Sequence, residues 1–211
     1  MAEPDLETRS RLLNAAARLF AERGLAKVTV RDICKKARAN VAAVNYHFGG
    51  KDGLYRAVMR MAIEIMQATT EEAQTAGRGL PAEEQIRAYV SVFVTRILGK
   101  GHETWIHQLM LRELSDPTPA LDMVAEDVLK PRTTYLCGMI SELAGCPPDS
   151  PLVTRCALSL QSQFNSILWS HAVTRMMHVA EMPTPTLDEI AEHITQFSLG
   201  GILAARSRDE A

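Results

Sequence analysis

Residues 27–55 read KVTVRDICKKARANVAAVNYHFGGKDGLY, and their pattern predicts the fold of the N-terminal part of the chain. Thr29 and Asp32 have the spacing of a capping box, in which each side chain bonds the backbone amide of the other residue. Apolar residues then recur at helical spacing, which predicts a short helix from about Val30 to Ala37. Only Lys27 to Val30 hints at a strand, and four residues are too few to form one.

A second short helix follows closely in the same stretch. Asn40 is a favoured N-cap residue and predicts a helix from about Val41 to His47, which the pair Gly49-Gly50 ends. Two short helices joined by a brief turn are the arrangement of a helix-turn-helix, whose second helix can lie in the major groove of DNA. The alternative that spacing alone leaves open is a small surface hairpin of helices with a solvated basic face.

The sequence on both sides of this stretch is also helical in pattern. Leu12, Ala16, Leu19 and Phe20 form the apolar stripe of a helix that Gly24 ends, and a long helix begins near Lys51. Pro131 should end or kink a later helix. Further helices are predicted from Pro151 to about Val179 and, after a capping box at Thr186 and Glu189, to about Ala205. We therefore predict an all-α protein of about nine helices, with a DNA-binding domain at 1–55 and a ligand-binding and dimerisation domain at 56–211.

Composition and charge exclude several classes of protein. The chain has 211 residues, of which 46% are hydrophobic and 23% charged, so disordered and collagen-like classes are excluded. No apolar run is long enough to cross a bilayer, and the four widely spaced cysteines predict reduced thiols in a cytoplasmic protein. Residues 1–60 hold twelve Lys and Arg against six Asp and Glu, whereas the rest of the chain is acidic. A basic head on an acidic body indicates that one end meets a polyanion.

The second short helix carries the residue types that read DNA. Ala42 and Ala43 are small enough to let the backbone approach base edges, and Asn45 can bond an adenine edge. Tyr46 can reach a phosphate or a base. Basic residues around this helix are candidate phosphate partners. They are Lys27, Arg31, Lys35, Lys36, Arg38 and Lys51.

The N-terminal sequence also resembles a known family. AARLFAERG, TVRDICKKA and VNYHFGGKDGLYRAV together resemble the N-terminal domain of TetR-like transcriptional regulators. The middle stretch WIHQLMLRELSDPTPAL and the breakpoint at Pro131 resemble the CerR-like (YbiH-like) branch of that family. The resemblance implies a DNA-binding regulator, most often a repressor that a small-molecule ligand releases from a palindromic operator.

Individual positions can be carried over from the resemblance. Recognition-helix positions that meet DNA are matched by Asn40, Val41, Ala42, Asn45 and Tyr46, and backbone-phosphate contacts by Thr29 and Lys51. The turn between the two short helices departs from the pattern, because the family usually has glycine where this chain has Arg38. A positive φ suits glycine there, so arginine either adopts it at a cost of about 1 kcal/mol or reshapes the turn.

The resemblance further implies a homodimer and an effector site in the C-terminal domain. The last two helices are expected to form a four-helix dimer interface. On the helix from Pro151, a polar and aromatic line lies beside apolar residues that can wall a cavity, which is typical of a small-molecule site. We expect a neutral or weakly polar ligand. The candidate residues, which can equally be core or interface residues, are Phe93, Trp105, Met110, Gln161, Phe164, Asn165 and Trp169.

Other classes of function find little support in the sequence. No nucleophile elbow, P-loop, metalloprotease or dinucleotide motif occurs, so we expect no enzyme activity and no cofactor. The histidines lack the spacing of a shared metal site, and we expect no metal. Arg112 and Glu113 are expected to lie on a solvated helix face. The competing function is an all-helical interaction module whose basic head docks an acidic protein.

Overall fold

The computed structural model describes residues 3–98, 104–176 and 185–209, and within these ranges all regular secondary structure is helical. The predicted all-α class is therefore confirmed. The π-helical segment and the helices on either side of it follow without a break, so the described ranges contain nine continuous helical stretches. The elements are α1 (Glu3–Arg23), α2 (Val30–Ala37), α3 (Val41–Phe48), α4 (Lys51–Gly77), α5 (Ala82–Leu98), α6 (Thr104–Ser115), α7 (Ala120–Val124), the π-helical segment (Ala125–Leu129), α8 (Lys130–Ala144), α9 (Pro151–Met176) and α10 (Leu187–Asp209).

The helix ends form as the capping patterns predict. The amide of Asp32 donates to the hydroxyl of Thr29 at 3.2 Å, and the amide of Thr29 donates to the Asp32 carboxylate at 3.1 Å. Thr186 and Glu189 make the same reciprocal pair before α10, at 2.7 and 3.2 Å. Gly24 adopts a φ of +80° and its amide donates to the carbonyl of Phe20, which ends α1. These bonds satisfy backbone groups that have no partner within their own helix.

The predicted break at Pro131 is a π-helical turn rather than a helix end. In a continuous α-helix the carbonyl of Asp127 would accept from the amide of residue 131, but proline has no N–H. The side chain of Gln67 donates to that carbonyl at 3.1 Å instead. The helical path therefore continues through Pro131, with a side chain in place of the missing donor.

The first compact unit combines Met1–Gln67 with Glu103–Val128. Its central element is α1, which packs against α2, α3 and α6. The apolar stripe predicted on α1 lies at the centre of the core, where burial of apolar surface stabilises the unit. Fully or almost fully buried side chains of this core include Leu12, Ala16, Phe20, Ile33, Val44, Leu54 and Val58.

Arg112 and Glu113 were expected on a solvated helix face, and only Arg112 is exposed. The side chain of Glu113 is only 2% exposed. Arg112 donates from Nε to the carbonyl of Ala21 at 2.6 Å and from a second guanidinium nitrogen to the carbonyl of Glu22. The carbonyls at the end of α1 have no partner within the helix, and α6 packs alongside and supplies one. Arg112 therefore caps α1 from another helix.

The buried carboxylate of Glu113 joins three parts of this unit. The hydroxyl of Tyr55 on α4 donates to Glu113 Oε1. Thr118 donates to Oε2 from its amide at 3.2 Å and from its hydroxyl at 2.9 Å. Burial, reinforced by the neighbouring Glu113, raises the pKa of the Tyr55 hydroxyl well above its usual value. The phenol therefore remains a neutral donor to the carboxylate.

The second compact unit combines Ala68–His102 with Leu129–Ala211. Here α10 packs against α5, α8 and α9. No helix within the described ranges is both long enough and apolar enough to cross a membrane. The buried side chains of this core include Ile86, Tyr89, Val90, Phe93, Leu136, Ile140, Val153, Leu160, Phe164 and Ile194.

The two units do not follow the boundary predicted after residue 55. Residues of α4 as far as Gln67 pack with the N-terminal helices, and so does the later segment Glu103–Val128. The predicted boundary concerns DNA-binding and ligand-binding function rather than packing, and in that sense it stays a prediction.

Candidate DNA interface

The turn between α2 and α3 is built around Arg38. This residue has φ 51° and ψ 49°, the left-handed conformation that glycine adopts most easily, and it is the only non-glycine residue with positive φ in the described ranges. Its amide bonds the carbonyls of Cys34 and Lys35, and the amide of Ala39 bonds Cys34 at 3.0 Å. Arginine thus takes the backbone conformation of the family glycine, and the turn is kept.

Helix α3 buries one face and exposes the other. Val44 is fully buried in the core of the first unit. Val41, Ala42, Asn45 and Tyr46 are all exposed, with Tyr46 at 76%. These four residues, which we call the recognition face, are two adjacent pairs separated by one helical turn. A face of this width is what a recognition helix presents to a major groove.

Asn40 is the N-cap of α3, and part of its side chain is used in capping the helix. Its side-chain oxygen accepts from the amide of Ala43 at 2.8 Å. An asparagine side chain also has an NH₂ group with two donors, and this group is the part left for a DNA contact. Asn40 is exposed, so the structure leaves it accessible from solvent.

Thr29 and Arg31 lie at the start of α2. The hydroxyl of Thr29 donates to the Asp32 carboxylate at 2.6 Å, and the two hydrogen bonds from Thr29 hold the pKa of Asp32 below its usual value. The hydroxyl proton of Thr29 is therefore used inside the chain. Arg31 is exposed one position into the helix and carries a full positive charge.

Lys51 has a structural role that the sequence did not reveal. Its ammonium donates to the carbonyls of Leu25 and Val28 at 3.0 and 3.2 Å, and the residue is half-buried. An ammonium has three donors, so one remains for a phosphate. Lys51 therefore connects the start of α4 to the loop between α1 and α2, in addition to any contact that it makes with DNA.

The end of α3 and the first turn of α4 approach each other closely at Gly53. A Cβ added to Gly53 would lie 1.7 Å from the carbonyl oxygen of Phe48, a distance that no side chain tolerates. His47 lies 3.3 Å from the carboxylate of Asp5, and the guanidinium of Arg9 lies 5.3 Å from the centre of the Phe48 ring. The C-terminal end of the recognition helix is thus held by both α1 and α4.

The candidate effector residues do not all belong to one unit. Trp105 and Met110 are partly buried against the core of the first unit. In the second unit Phe93 and Phe164 stack with ring centres 5.4 Å apart, and Gln161 donates weakly to Thr133 at 3.5 Å. Asn165 is exposed, and the side chain of Trp169 lies outside the described residues. The structure therefore brings together Phe93 and Phe164 but does not place Trp105 or Met110 in the same unit.

Two residues of the second unit were not identified from the sequence. Tyr89 on α5 is fully buried, and its ring stacks on Phe93 with centres 4.4 Å apart. Arg132 on α8 holds its guanidinium 4.7 Å from the centre of the Phe93 ring and donates to Thr70 at 3.2 Å. Tyr89 falls one turn before Phe93 on the apolar stripe, which was the one signal available. Nothing in the sequence indicates that Arg132 points inward.

Comparisons with known proteins agree with this geometry. Residues 12–58 match the family model described as bacterial regulatory proteins of the tetR family, and residues 82–202 match the C-terminal domain of the HTH-type transcriptional dual regulator CecR. CecR of Shigella flexneri is 26% identical over 170 residues, 77% of this chain and 74% of that protein. The regulator BetI of Burkholderia ambifaria is 30% identical over 115 residues, 50% of this chain and 59% of that protein.

The fold also occurs among solved structures. A TetR-family transcriptional regulator from Streptomyces coelicolor superposes with a TM-score of 0.65 at 20% identity, covering 96% of this chain and 95% of that one. The middle stretch WIHQLMLRELSDPTPAL lies within residues 82–202. The match of these residues to the CecR C-terminal domain confirms the branch of the family that this stretch indicated.

Proposed function

Because the chain belongs to the TetR family of bacterial transcriptional regulators, with a C-terminal domain of the CecR type, we propose that it is a repressor which a small molecule releases from a palindromic operator. The observation that carries the proposal is the recognition face of Val41, Ala42, Asn45 and Tyr46. An exposed helix face with small residues at one end and an amide and a phenol at the other can read base edges.

The surrounding charges support binding to the DNA backbone. Exposed Lys27, Arg31, Lys35 and Arg38 lie on α2 or next to it, while Lys36 is 3.6 Å from Glu22. Phosphate contacts of this kind fix the register of a protein on the duplex, and base contacts then specify the sequence.

We propose that the protein binds as a homodimer through α9 and α10. Members of this family typically act as dimers with small-molecule effectors. Two heads related by a two-fold axis read two half-sites about one helical turn of DNA apart, or a multiple of it. Large apolar side chains exposed on α9 and α10, namely Leu158, Phe197 and Leu203, support this choice of interface.

Selection of bound sequences from a random duplex pool tests DNA binding. The expected result is an enriched palindrome, bound with an affinity that falls steeply as salt increases. Binding that depends on salt but not on sequence would contradict the proposal. It would favour the competing function, an interaction module whose basic head docks an acidic protein.

A reporter gene behind the selected operator tests the direction of regulation. The expected result is lower expression in the presence of the protein and recovery when an effector is supplied. CecR is described as a dual regulator, so increased expression from the same operator is the competing outcome and would contradict the repressor assignment.

A further inference from the structure

The core of the second unit contains a buried hydroxyl that has no hydrogen-bond partner within the described residues. Tyr89 is fully buried, and its hydroxyl oxygen is closed off from solvent. Buried polar groups in native proteins are nearly always paired, and an exception calls for an explanation such as a bound molecule. Burial also raises the pKa of this phenol, so it stays a neutral donor.

The guanidinium of Arg132 lies against the ring on which Tyr89 stacks. That ring is Phe93, and Arg132 and Tyr89 interact electrostatically. Burial lowers the pKa of the guanidinium, yet an arginine remains charged at neutral pH. A phenol donor from α5 and a guanidinium donor from α8 therefore adjoin one aromatic ring.

Further aromatic rings lie around Tyr89 and Phe93. Phe93 stacks on Phe164 of α9, and Tyr135 lies 6.3 Å from Tyr89, measured between ring centres. Two hydrogen-bond donors, one of them cationic, in aromatic surroundings select an anionic acceptor on an apolar body. A carboxylate accepts from both a phenol and a guanidinium, and such charge-assisted bonds are the strong ones.

We propose that the effector is an organic monocarboxylate with an aromatic or alkyl body, whose carboxylate is bound by Tyr89 and Arg132. This inference rests on the proposed ligand-responsive function and replaces the neutral ligand expected from the sequence. That expectation relied on the lack of a charge cluster near the candidate residues, and it did not include Arg132.

Binding of paired probes to the full-length protein tests the charge requirement. Benzoate, cinnamate and octanoate are titrated calorimetrically beside benzamide, cinnamamide and octanamide, which have the same bodies and no charge. At least one carboxylate is expected to bind, with its amide weaker by about tenfold or more, because the site is built for an anion. Equal binding within every pair, or no binding by any of the acids, would overturn the inference.

Two variants test the residues, with a third as control. Tyr89→Phe and Arg132→Gln are each expected to weaken carboxylate binding about tenfold, whereas Arg78→Gln, which removes an exposed cation of the same unit, leaves it unchanged. Tyr89→Phe is also expected to leave the melting temperature of the ligand-free protein unchanged or higher, because it removes an unpaired buried hydroxyl. A lower melting temperature would mean that the hydroxyl has a partner within the protein, and would overturn the inference.

Operator binding by the same samples separates this inference from the proposed function. If the protein binds its operator but fails the carboxylate tests, only the proposed effector is contradicted. If the protein binds carboxylates but no operator, only the proposed repressor function is contradicted.

Discussion

Asn45 and Arg31 are both exposed on the DNA-binding head but are suited to different parts of the duplex. Asn45 carries an amide on the recognition face, and an amide pairs well with an adenine edge and poorly with other bases. Arg31 carries a charge at the start of α2, where a phosphate contact is sequence-independent.

Replacing these two residues should separate specificity from affinity. Asn45→Ala is expected to cost about 1 to 3 kcal/mol on the preferred operator and to relax the preference at one symmetric pair of positions. Arg31→Ala is expected to weaken operator and scrambled duplex equally and to reduce the salt slope by about one. Fluorescence anisotropy on both duplexes at several salt concentrations measures each effect. If Asn45→Ala weakened both duplexes equally, Asn45 would be a positioning contact instead.

Arg38 holds a backbone conformation that glycine would adopt without strain. Arg38→Gly is expected to raise the free energy of unfolding by about 1 kcal/mol, because left-handed backbone strains residues that carry a Cβ. Arg38→Ala removes the same charge and keeps the strain, so it should leave stability unchanged. Chemical denaturation of the three proteins measures the difference. Equal stability of the glycine and alanine variants would show that the turn is unstrained.

At the scale of the helix, the sequence predicted local features well and contacts between helices poorly. The capping pairs at Thr29 and Thr186 and the start of α3 at Asn40 depend on residues within one turn, so a single stretch of sequence contains all the information. The inward positions of Glu113 and Arg132 depend on which helices pack together. Periodicity does not contain that information, because a charged residue usually marks a solvated face.

The close approach of α3 and α4 makes Gly53 intolerant of any side chain. Gly53→Ala is expected to destabilise the protein by about 1 to 3 kcal/mol, because the added Cβ meets the Phe48 carbonyl and must displace it. Gly138→Ala is the control, since a Cβ there meets nothing within 4 Å. That variant should be stabilised by about 0.5 to 1 kcal/mol, as expected for alanine within a helix. Thermal unfolding compares them, and a neutral Gly53→Ala would contradict the close approach.

The bond from α4 to α6 should make stability depend on alkaline pH. The pKa of Tyr55 is raised in the folded protein, so the unfolded chain loses this proton first, near pH 10. Its stabilising contribution is therefore complete below that pH and is lost as the pH rises further. The wild type should lose more stability between about pH 9 and 11 than Tyr55→Phe does. Parallel curves for the two proteins would contradict a raised pKa.

Tyr55→Phe should also be less stable at neutral pH. It leaves an oxygen of the buried Glu113 carboxylate without its phenol donor, which is expected to cost about 1 to 3 kcal/mol. Urea titrations at pH 7 measure this cost, and an unchanged midpoint would show that the hydrogen bond contributes nothing.

At the scale of the whole molecule, dimerisation can be tested on two equally exposed side chains. Phe197 on α10 and Leu114 on α6 are both 66% exposed. Phe197→Ser is expected to raise the dimer dissociation constant about tenfold or more, because large aromatic residues dominate interfaces. Leu114→Ser should not change it. Sedimentation at micromolar concentration measures both, and a wild type that sediments as a 23.3 kDa monomer would contradict the proposed interface.

The first compact unit is discontinuous in sequence, and this constrains the engineering of hybrid regulators. A chimera cut after residue 55 would take the recognition helix from this protein but leave Arg112, Glu113 and Thr118 behind. The transplanted head would then lose the cap on α1 and the acceptor of the Tyr55 hydroxyl. A transplant that carries both Met1–Gln67 and Glu103–Val128 keeps these contacts intact. Exchange of operator specificity between such proteins therefore requires both segments to be exchanged together, with three junctions rather than one.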